Sequence, residues 1–347
     1  MIDLRTLFSY PIIQGPMAGG ATTPALVAAV SNAGALGSLA GSLLGPAALR
    51  RDIAAIRALT DQPFLVNFFV QDVPTPDAAQ LAHAVALLQP ITVALGLATL
   101  PMPAQWCEPF GAQLDTIVEL RPPIVSFTFD QLDAARVARL HAAGIVVIGT
   151  VTTVDEALAW QAAGADAVVA SGVESGGHRG TFLGAQEAAT LGTFALLPAV
   201  VAAVQMPVIA AGGIMDGADI AHALALGAQA VQMGTAFLVT DEAGIHPAYR
   251  QCLLEARVTH PATRLTRAFS GRYARGIVNT FMDTLAAVES QMPPYPIQNA
   301  LTGALRAEAA RRGDPQWMSL WCGTGVERAR PMPAGELVKT LVAEAGL

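Results

Sequence analysis

The chain has 347 residues and a formal net charge of −7, and it is 53% apolar but only 14% charged. This length suits one large α/β barrel with an added lobe, or two smaller domains. The acidic balance, without clusters of Lys or Arg, argues against nucleic acid as a partner, and three widely separated cysteines argue against a metal site or a disulfide framework.

The apolar stretches raise the question of a membrane span, which needs about 20 uninterrupted apolar residues. The strongest candidate, residues 194–215, contains Pro198, Pro207 and the pair Gly212–Gly213. It therefore predicts a short helix, a turn and a buried strand rather than a span. The N-terminus has no apolar core of signal-peptide length, so the expected location is the cytoplasm, with no membrane partner.

The scarcity of lysine excludes several chemistries. Of the 20 basic residues, only Lys339, near the C-terminus, is a lysine. Schiff-base aldolases and pyridoxal-phosphate enzymes need a lysine in the active site. A P-loop needs the sequence GK[ST], which the chain lacks.

Apolar strands, glycine-marked turns and Ala- or Leu-rich helices alternate along most of the chain. The predicted strands are Pro11–Gly15, Ala35–Leu39, Phe64–Phe68, Ile124–Thr128, Ile145–Thr150, Ala167–Ser171, Pro207–Ala211 and Ala230–Gly234. The predicted helices between them include Pro24–Asn32, Ala47–Leu59, Leu132–Ala142, Val154–Ala162 and Gly217–Leu226. This α/β alternation is typical of a (β/α)8 TIM barrel. A doubly wound sheet is less favoured because no GxGxxG follows the first strand.

Two stretches interrupt the alternation. Residues 72–122 are rich in proline and include a strand-like segment, Ile91–Leu97. Residues 240–300 have a helical and irregular pattern. We predict a barrel from residues 1–239, completed by the tail 301–347. Residues 240–300 are predicted to form a mostly helical lobe that covers the substrate at the C-terminal mouth, where barrel active sites lie.

Two early strands end in candidate ligand-binding residues. After the first strand, Gln14, Gly15, Pro16 and Met17 form a turn in which glycine lets the backbone approach a flat ligand. A plain turn explains the same residues. Asn67 is an amide inside an apolar strand, and a buried amide must be hydrogen-bonded, either to a neighbouring strand or to the edge of a ring such as a flavin's.

Residues 171–180 are the most informative segment. The segment begins at Ser171 and contains Gly176, Gly177 and His178. Its glycines expose backbone N–H groups, and a histidine titrates near neutral pH, as general acid–base catalysis requires. The other five histidines lie in predicted helices or directly precede proline. We therefore predict His178 as the catalytic residue.

Glycine-bearing loops also follow the seventh and eighth strands. In barrels these two loops commonly form a phosphate site, and backbone N–H groups can hold a phosphate without a lysine. Two tight turns are the plainer interpretation. The residues predicted to bind a cofactor here are Gly212, Gly213, Gln232, Met233, Gly234 and Thr235.

Together these segments make the chain resemble the nitronate monooxygenase (2-nitropropane dioxygenase-like) family over nearly its whole length. The barrel segments that carry the resemblance are Pro11–Gly20, Ser31–Gly37, Val66–Phe69, Glu174–Gly180, Pro207–Ile214 and Val231–Phe237. A related group, the FMN-dependent enoyl-acyl-carrier-protein reductases, shares most of them. The segments that favour the bacterial nitronate monooxygenases are Phe269–Asn279, Tyr295–Asn299 and Ser319–Gly325.

The resemblance implies a bound FMN. It implies that Asn67 contacts the flavin ring and that Gly176, Gly213 and residues 232–235 contact the ribityl and phosphate portions. His178 matches the active-site histidine of the family. Ser171 stands where a glutamine is expected, so one flavin contact is in question.

The implied activity is oxidation of an anionic alkyl nitronate, such as propionate 3-nitronate, with O2 to a carbonyl product and nitrite or nitrate. A protonated His178 would stabilise the anionic substrate, whereas a neutral one would abstract the α-proton of a nitroalkane.

Two alternatives remain: an NAD(P)H-dependent FMN reductase acting on an enoyl thioester or a quinone, and a flavin-free phosphate-binding barrel. We expect a monomer or a homodimer.

Overall fold

The computed structural model describes residues 3–347. The strands are β1 (Ile12–Gln14), β2 (Gly37–Ala40), β3 (Phe64–Phe69), β4 (Ile124–Thr128), β5 (Val146–Val151), β6 (Ala167–Ser171), β7 (Gly177–His178), β8 (Val208–Ala211), β9 (Ala230–Met233), β10 (Thr263–Thr266) and β11 (Ala274–Ile277). The eight predicted strands correspond to β1–β6, β8 and β9, and their bounds agree to within two residues.

The helices surround and extend this set of strands. They are α1 (Pro24–Asn32), α2 (Pro46–Leu59), α3 (Ala78–Ala94), α4 (Phe110–Leu120), α5 (Ala134–Ala142), α6 (Val154–Ala163), α7 (Thr193–Ala203), α8 (Gly217–Ala225), α9 (Pro247–Thr259), α10 (Thr280–Leu285), α11 (Ile297–Leu301), α12 (Gly303–Arg312) and α13 (Ala334–Ala345). Short 3-10 turns lie at Leu4–Thr6, Gln186–Ala188, Thr235–Phe237, Ala286–Gln291, Pro315–Trp317 and Val326–Arg328.

Eight parallel strands form the barrel, in the order β1-β9-β8-β6-β5-β4-β3-β2. The two ends of this sheet meet at Leu36. Its N–H donates to Ile12 O and its carbonyl accepts from Gln14 N–H, both at 2.9 Å. The predicted (β/α)8 barrel is therefore confirmed.

Alternation of side chains along the strands creates two apolar layers. In β3, Leu65 belongs to the cluster inside the barrel, whereas its neighbour Val66 belongs to the layer between strands and helices. Because both faces are buried, each strand is apolar nearly throughout, which is why the sequence shows long uncharged runs. Within residues 3–347, no helix is long and apolar enough to cross a bilayer.

The strand-like segment Ile91–Leu97 is wrong as a strand prediction, because most of it forms the end of α3. Residues Leu88, Ile91 and Leu95 are buried at spacings of three and four, which is a helical period. Pro90 lies inside the helix on its exposed side. Burial of this apolar face outweighs the backbone hydrogen bond that the proline removes.

Residues 240–300 pack in an apolar cluster separate from the barrel, and they contain strands as well as helices. β10 and β11 make a hairpin, and β11 also pairs with β7 in the loop after β6. The two long helices of the tail pack in different places. Helix α12 packs in the apolar cluster of the lobe, whereas α13 packs against the barrel. We propose that residues 240–300 act as the substrate-covering lobe.

Candidate active site at the barrel mouth

A cavity of about 530 Å³ opens at the carboxyl ends of the barrel strands. That volume is in the range of small-molecule and cofactor sites, roughly 300–1,000 Å³. The predicted site residues that line it are Gly15, Pro16, Met17, Asn67, Ser171, Gly176, Gly177, His178, Gly212, Gly213, Gln232, Met233, Gly234 and Thr235. The structure thus brings together residues from five barrel strands and the loops that follow them.

Gln14 is the predicted site residue that does not line the cavity. Its side chain is fully buried beneath the turn, where its amide bonds Gly15 O and its Oε1 accepts from Ser38 N–H at 2.9 Å. It therefore ties the first turn to β2. The sequence shows a polar residue at the end of a strand, but not on which side of the turn it points.

Asn67 presents an acceptor to the cavity. Its Nδ2 donates to Ser126 Oγ at 2.9 Å and to the carbonyl of Ser126 at 3.3 Å. Because a carbonyl can only accept, these contacts orient the amide and leave Oδ1 directed away from β4. No group of residues 3–347 donates to Oδ1, so it is available to an N–H group of a ligand.

The loops after β8 and β9 form an uncharged cradle. Gly212 and Gly213 have φ of +118° and +69°, a conformation that L side chains rarely adopt. The backbone N–H groups of Gly213, Gly234 and Thr235 make no hydrogen bond within residues 3–347. A Cβ at Gly234 would meet nothing closer than Met17, at 4.0 Å. The cradle therefore offers free donors and room for a phosphate or another anion.

His178 is held at both its backbone and its side chain. In β7 it pairs with Ala274 of the lobe hairpin, and its Nε2 lies 2.9 Å from Ser270 Oγ. The single hydroxyl proton of Ser270 donates to Arg272 O at 2.9 Å, so Oγ accepts from His178 Nε2–H. The remaining nitrogen, Nδ1, carries the lone pair and has no hydrogen-bond partner in residues 3–347.

Aromatic rings surround the imidazole. The ring centroids of Phe69, Phe129, Tyr295 and Trp321 lie 5.5–6.0 Å from that of His178. Phe129 has φ +84°, which strains a bulky residue, and such strain tends to be retained at functional sites. The rings exclude water from the imidazole on several sides.

This environment keeps His178 neutral. Burial, together with the nearby positive charges of Arg272 and Arg306, lowers the pKa of His178 from 6.5 to about 3. A neutral imidazole can accept a proton, whereas its positive form is disfavoured at physiological pH. The structure therefore disfavours the protonated imidazole that would stabilise an anionic substrate.

Ser171 stands at the position where the family resemblance implies a glutamine, and its side chain is shorter. Its hydroxyl lies 2.9 Å from that of Ser175, and both residues line the cavity. The short side chain reaches only its own loop.

Several cavity residues were missed by sequence reasoning. Phe69, Tyr249, Asn299 and Arg306 line the cavity, and all but Phe69 come from the lobe and the tail. Burial raises the pKa of the Cys322 thiol to about 12, so this cavity residue is not a nucleophile at neutral pH. Tyr295, Asn299, Trp321 and Cys322 do occur in the segments that carry the family resemblance, but a single sequence does not show which side chains point inward.

A (β/α)8 barrel with a half-buried histidine and a glycine-lined cradle at its mouth is a barrel enzyme with space for a phosphate-bearing cofactor. The family model described as nitronate monooxygenase matches residues 3–344. The chain therefore belongs to the nitronate monooxygenase family of flavin-dependent oxidoreductases.

Individual relatives agree with this assignment. A probable nitronate monooxygenase of Staphylococcus haemolyticus is 42% identical over 335 residues, which cover 96% of this chain and 93% of the relative. The solved structure of a nitroalkane oxidase from Streptomyces ansochromogenes is similar with a TM-score of 0.92 and 41% identity, covering 99% of this chain and 98% of that one. FabK from Thermotoga maritima is similar with a TM-score of 0.76 and 30% identity, covering 99% and 95%.

Proposed function

We propose that the protein is an FMN-dependent enzyme that oxidises alkyl nitronates, such as propionate 3-nitronate, with O2. The observation that carries the proposal is one cavity at the strand ends, lined both by the half-buried His178 and by a glycine cradle with free N–H groups. A relative named as a probable nitronate monooxygenase and a neighbour named as a nitroalkane oxidase support oxidation of nitro compounds.

The residues present fit FMN. The free N–H groups at Gly213, Gly234 and Thr235 suit a phosphate, and no lysine is required. The free Oδ1 of Asn67 suits an N–H group at the edge of the flavin ring. Gln232, whose amide has no hydrogen-bond partner in residues 3–347, offers both a donor and an acceptor between these two places.

The bound flavin would supply the redox chemistry, and the protein supplies binding, orientation and proton transfer. With a neutral nitroalkane, Nδ1 of His178 takes the α-proton, and the Nε2–H bond to Ser270 keeps the ring directed at the substrate. With a nitronate, which is already deprotonated, this step is not needed. The aromatic wall keeps water away from the reacting carbon.

The proposal is tested by oxygen uptake. One nitronate and one O2 balance as one carbonyl compound and one nitrate, and two nitronates with one O2 balance as two carbonyl compounds and two nitrite ions. We expect the yellow holoprotein to consume O2 on addition of propionate 3-nitronate, in one of these ratios. A colourless protein without flavin absorbance, or rapid bleaching of the flavin by NADH or NADPH with no nitronate turnover, would favour one of the two alternatives.

The pH dependence gives an independent check. Because the pKa of His178 is lowered to about 3, the residue stays neutral throughout the range from pH 5 to pH 8. We expect kcat/KM for a preformed nitronate to show no inflection near pH 6.5 in that range. An unperturbed histidine that must be protonated would make activity fall tenfold per pH unit above about pH 6.5. A fall of that size would contradict the neutral imidazole.

A further inference from the structure

Arg306 is a cavity residue to which the chemistry above gives no role. On α12, the residues that line the cavity are Gly303, Arg306, Ala307 and Ala310, at the spacing of one helix face. Three of them are small, and a Cβ at Gly303 would meet no atom within 4 Å. The guanidinium of Arg306 therefore has open space beside it, on the lobe side of the cavity.

The guanidinium has unused donors. Its Nη2 donates to Asn299 O at 2.7 Å and to Asn299 Oδ1 at 3.1 Å. Its Nη1 bonds no group in residues 3–347 and, unlike the buried Nε, is accessible from outside the side chain. A charged donor in a partly buried position is normally hydrogen-bonded, so Nη1 indicates a ligand that the protein does not itself supply.

The charge of Arg306 is also unpaired. Within residues 3–347, no carboxylate forms an ion pair with it, although Arg311 and Arg312 on the same helix both pair with Glu308. Burial lowers the pKa of Arg306 to about 10, so the side chain still carries its charge at neutral pH. A cation in a partly desolvated site is stabilised by an anion.

The position of Arg306 distinguishes it from the phosphate cradle. It lines the same cavity as His178 and Tyr295, whose ring centroids lie 5.6 Å apart. At the cradle, the nearby guanidinium of Arg328 is already neutralised by Asp216 and Asp219, at 2.8 Å and 2.9 Å. Ala307, next to Arg306, is exposed, which places this wall at the outer end of the cavity.

We propose that Arg306 binds a carboxylate carried by the substrate at the end opposite to its nitronate group. The inference rests on the proposed function, because it assumes that the nitronate end reacts beside His178. A carboxylate would accept a charge-assisted hydrogen bond from Nη1 and neutralise the guanidinium. Arg306 would thus select nitronates that bear a second negative charge over simple alkyl nitronates.

The test compares two nitronates in the holoenzyme with and without Arg306. For Arg306→Met we expect KM for propionate 3-nitronate to rise about 20-fold, which corresponds to the loss of one charge-assisted hydrogen bond. KM for butyl 1-nitronate, which lacks the carboxylate, should stay within about twofold. Arg306→Lys, which keeps the charge but not the guanidinium, should be intermediate.

Arg311→Met is the matched control, because Arg311 lies on the same helix with an exposed side chain. It should leave both KM values unchanged. An equal rise for both substrates in Arg306→Met, or no change for either, would overturn the proposal.

A binding measurement separates this inference from the proposed function. Trp321 lines the cavity, so quenching of tryptophan fluorescence reports ligand entry without turnover. Butyrate, which keeps the carboxylate, should bind more tightly than the neutral butyramide, and Arg306→Met should remove the difference. If wild-type enzyme oxidises neither nitronate, the proposed function fails. The butyrate result then still decides whether Arg306 binds a carboxylate, and equal binding in wild type and variant would refute it.

Discussion

His178→Asn should lower kcat/KM for a neutral nitroalkane by about 100- to 10,000-fold, the usual contribution of a positioned general base. The variant loses the lone pair of the imidazole, and its shorter amide does not reach the position from which Nε2 bonds Ser270. The same variant should lose only about tenfold with a preformed nitronate, since that substrate needs no proton abstraction. Steady-state kinetics with both substrate forms, at matched flavin content, measures this split.

The exposed histidines provide the control. His141 and His222 lie on the outer faces of helices, as predicted from the sequence, and His141→Asn should keep full activity with either substrate. An equal loss with nitroalkane and nitronate in His178→Asn would instead assign the histidine to binding of the anion. Undiminished turnover with flavin intact would exclude both roles.

Gly234→Leu should abolish stable flavin binding while the barrel still folds. The residue has φ −96°, which a leucine adopts without strain, and its Cβ would have no protein atom closer than 4.0 Å. The added side chain must therefore project into the cradle where the phosphate is proposed to lie. We expect the affinity for FMN to fall about 100-fold, near the upper end of the cost of overpacking. Flavin absorbance per protein, before and after dialysis, measures it.

Gly111→Leu is the matched control, because a Cβ at this exposed position of α4 also meets no atom within 4 Å. It should retain flavin fully. If Gly234→Leu also retains flavin, the phosphate lies elsewhere and the cradle has another purpose. A folded fraction checked by circular dichroism separates loss of flavin from loss of structure.

The barrel was predictable because its strands are local and strongly patterned. Strands such as β4, which follows two prolines, and β6, which precedes a glycine, are short and mostly apolar, and each was predicted with its observed bounds. Ile91–Leu97 misled because a short apolar run containing β-branched residues, just after a proline, is typical of a strand as well. The helix is recognised only when the apolar spacing of three and four residues is followed from Leu88 through Ile91 to Leu95.

The site was predictable where chemistry follows a barrel strand directly, as at Asn67 and His178. It was not predictable where the lobe supplies the residue. The β10–β11 hairpin brings Ser270 to His178 across 92 positions of sequence, and α12 brings Arg306 to the same cavity. Such contacts depend on how the lobe packs over the mouth of the barrel. This packing cannot be read from a local pattern in a single sequence.

The most direct test of the flavin-dependent oxidation of nitronates is anaerobic mixing of the purified holoprotein with propionate 3-nitronate, followed by admission of O2. The account predicts that the nitronate changes the visible flavin spectrum, that O2 restores it with formation of nitrite or nitrate, and that NADH leaves it unaltered. A flavin that NADH bleaches at once and that the nitronate leaves unaltered, with no nitrite or nitrate formed, would contradict it.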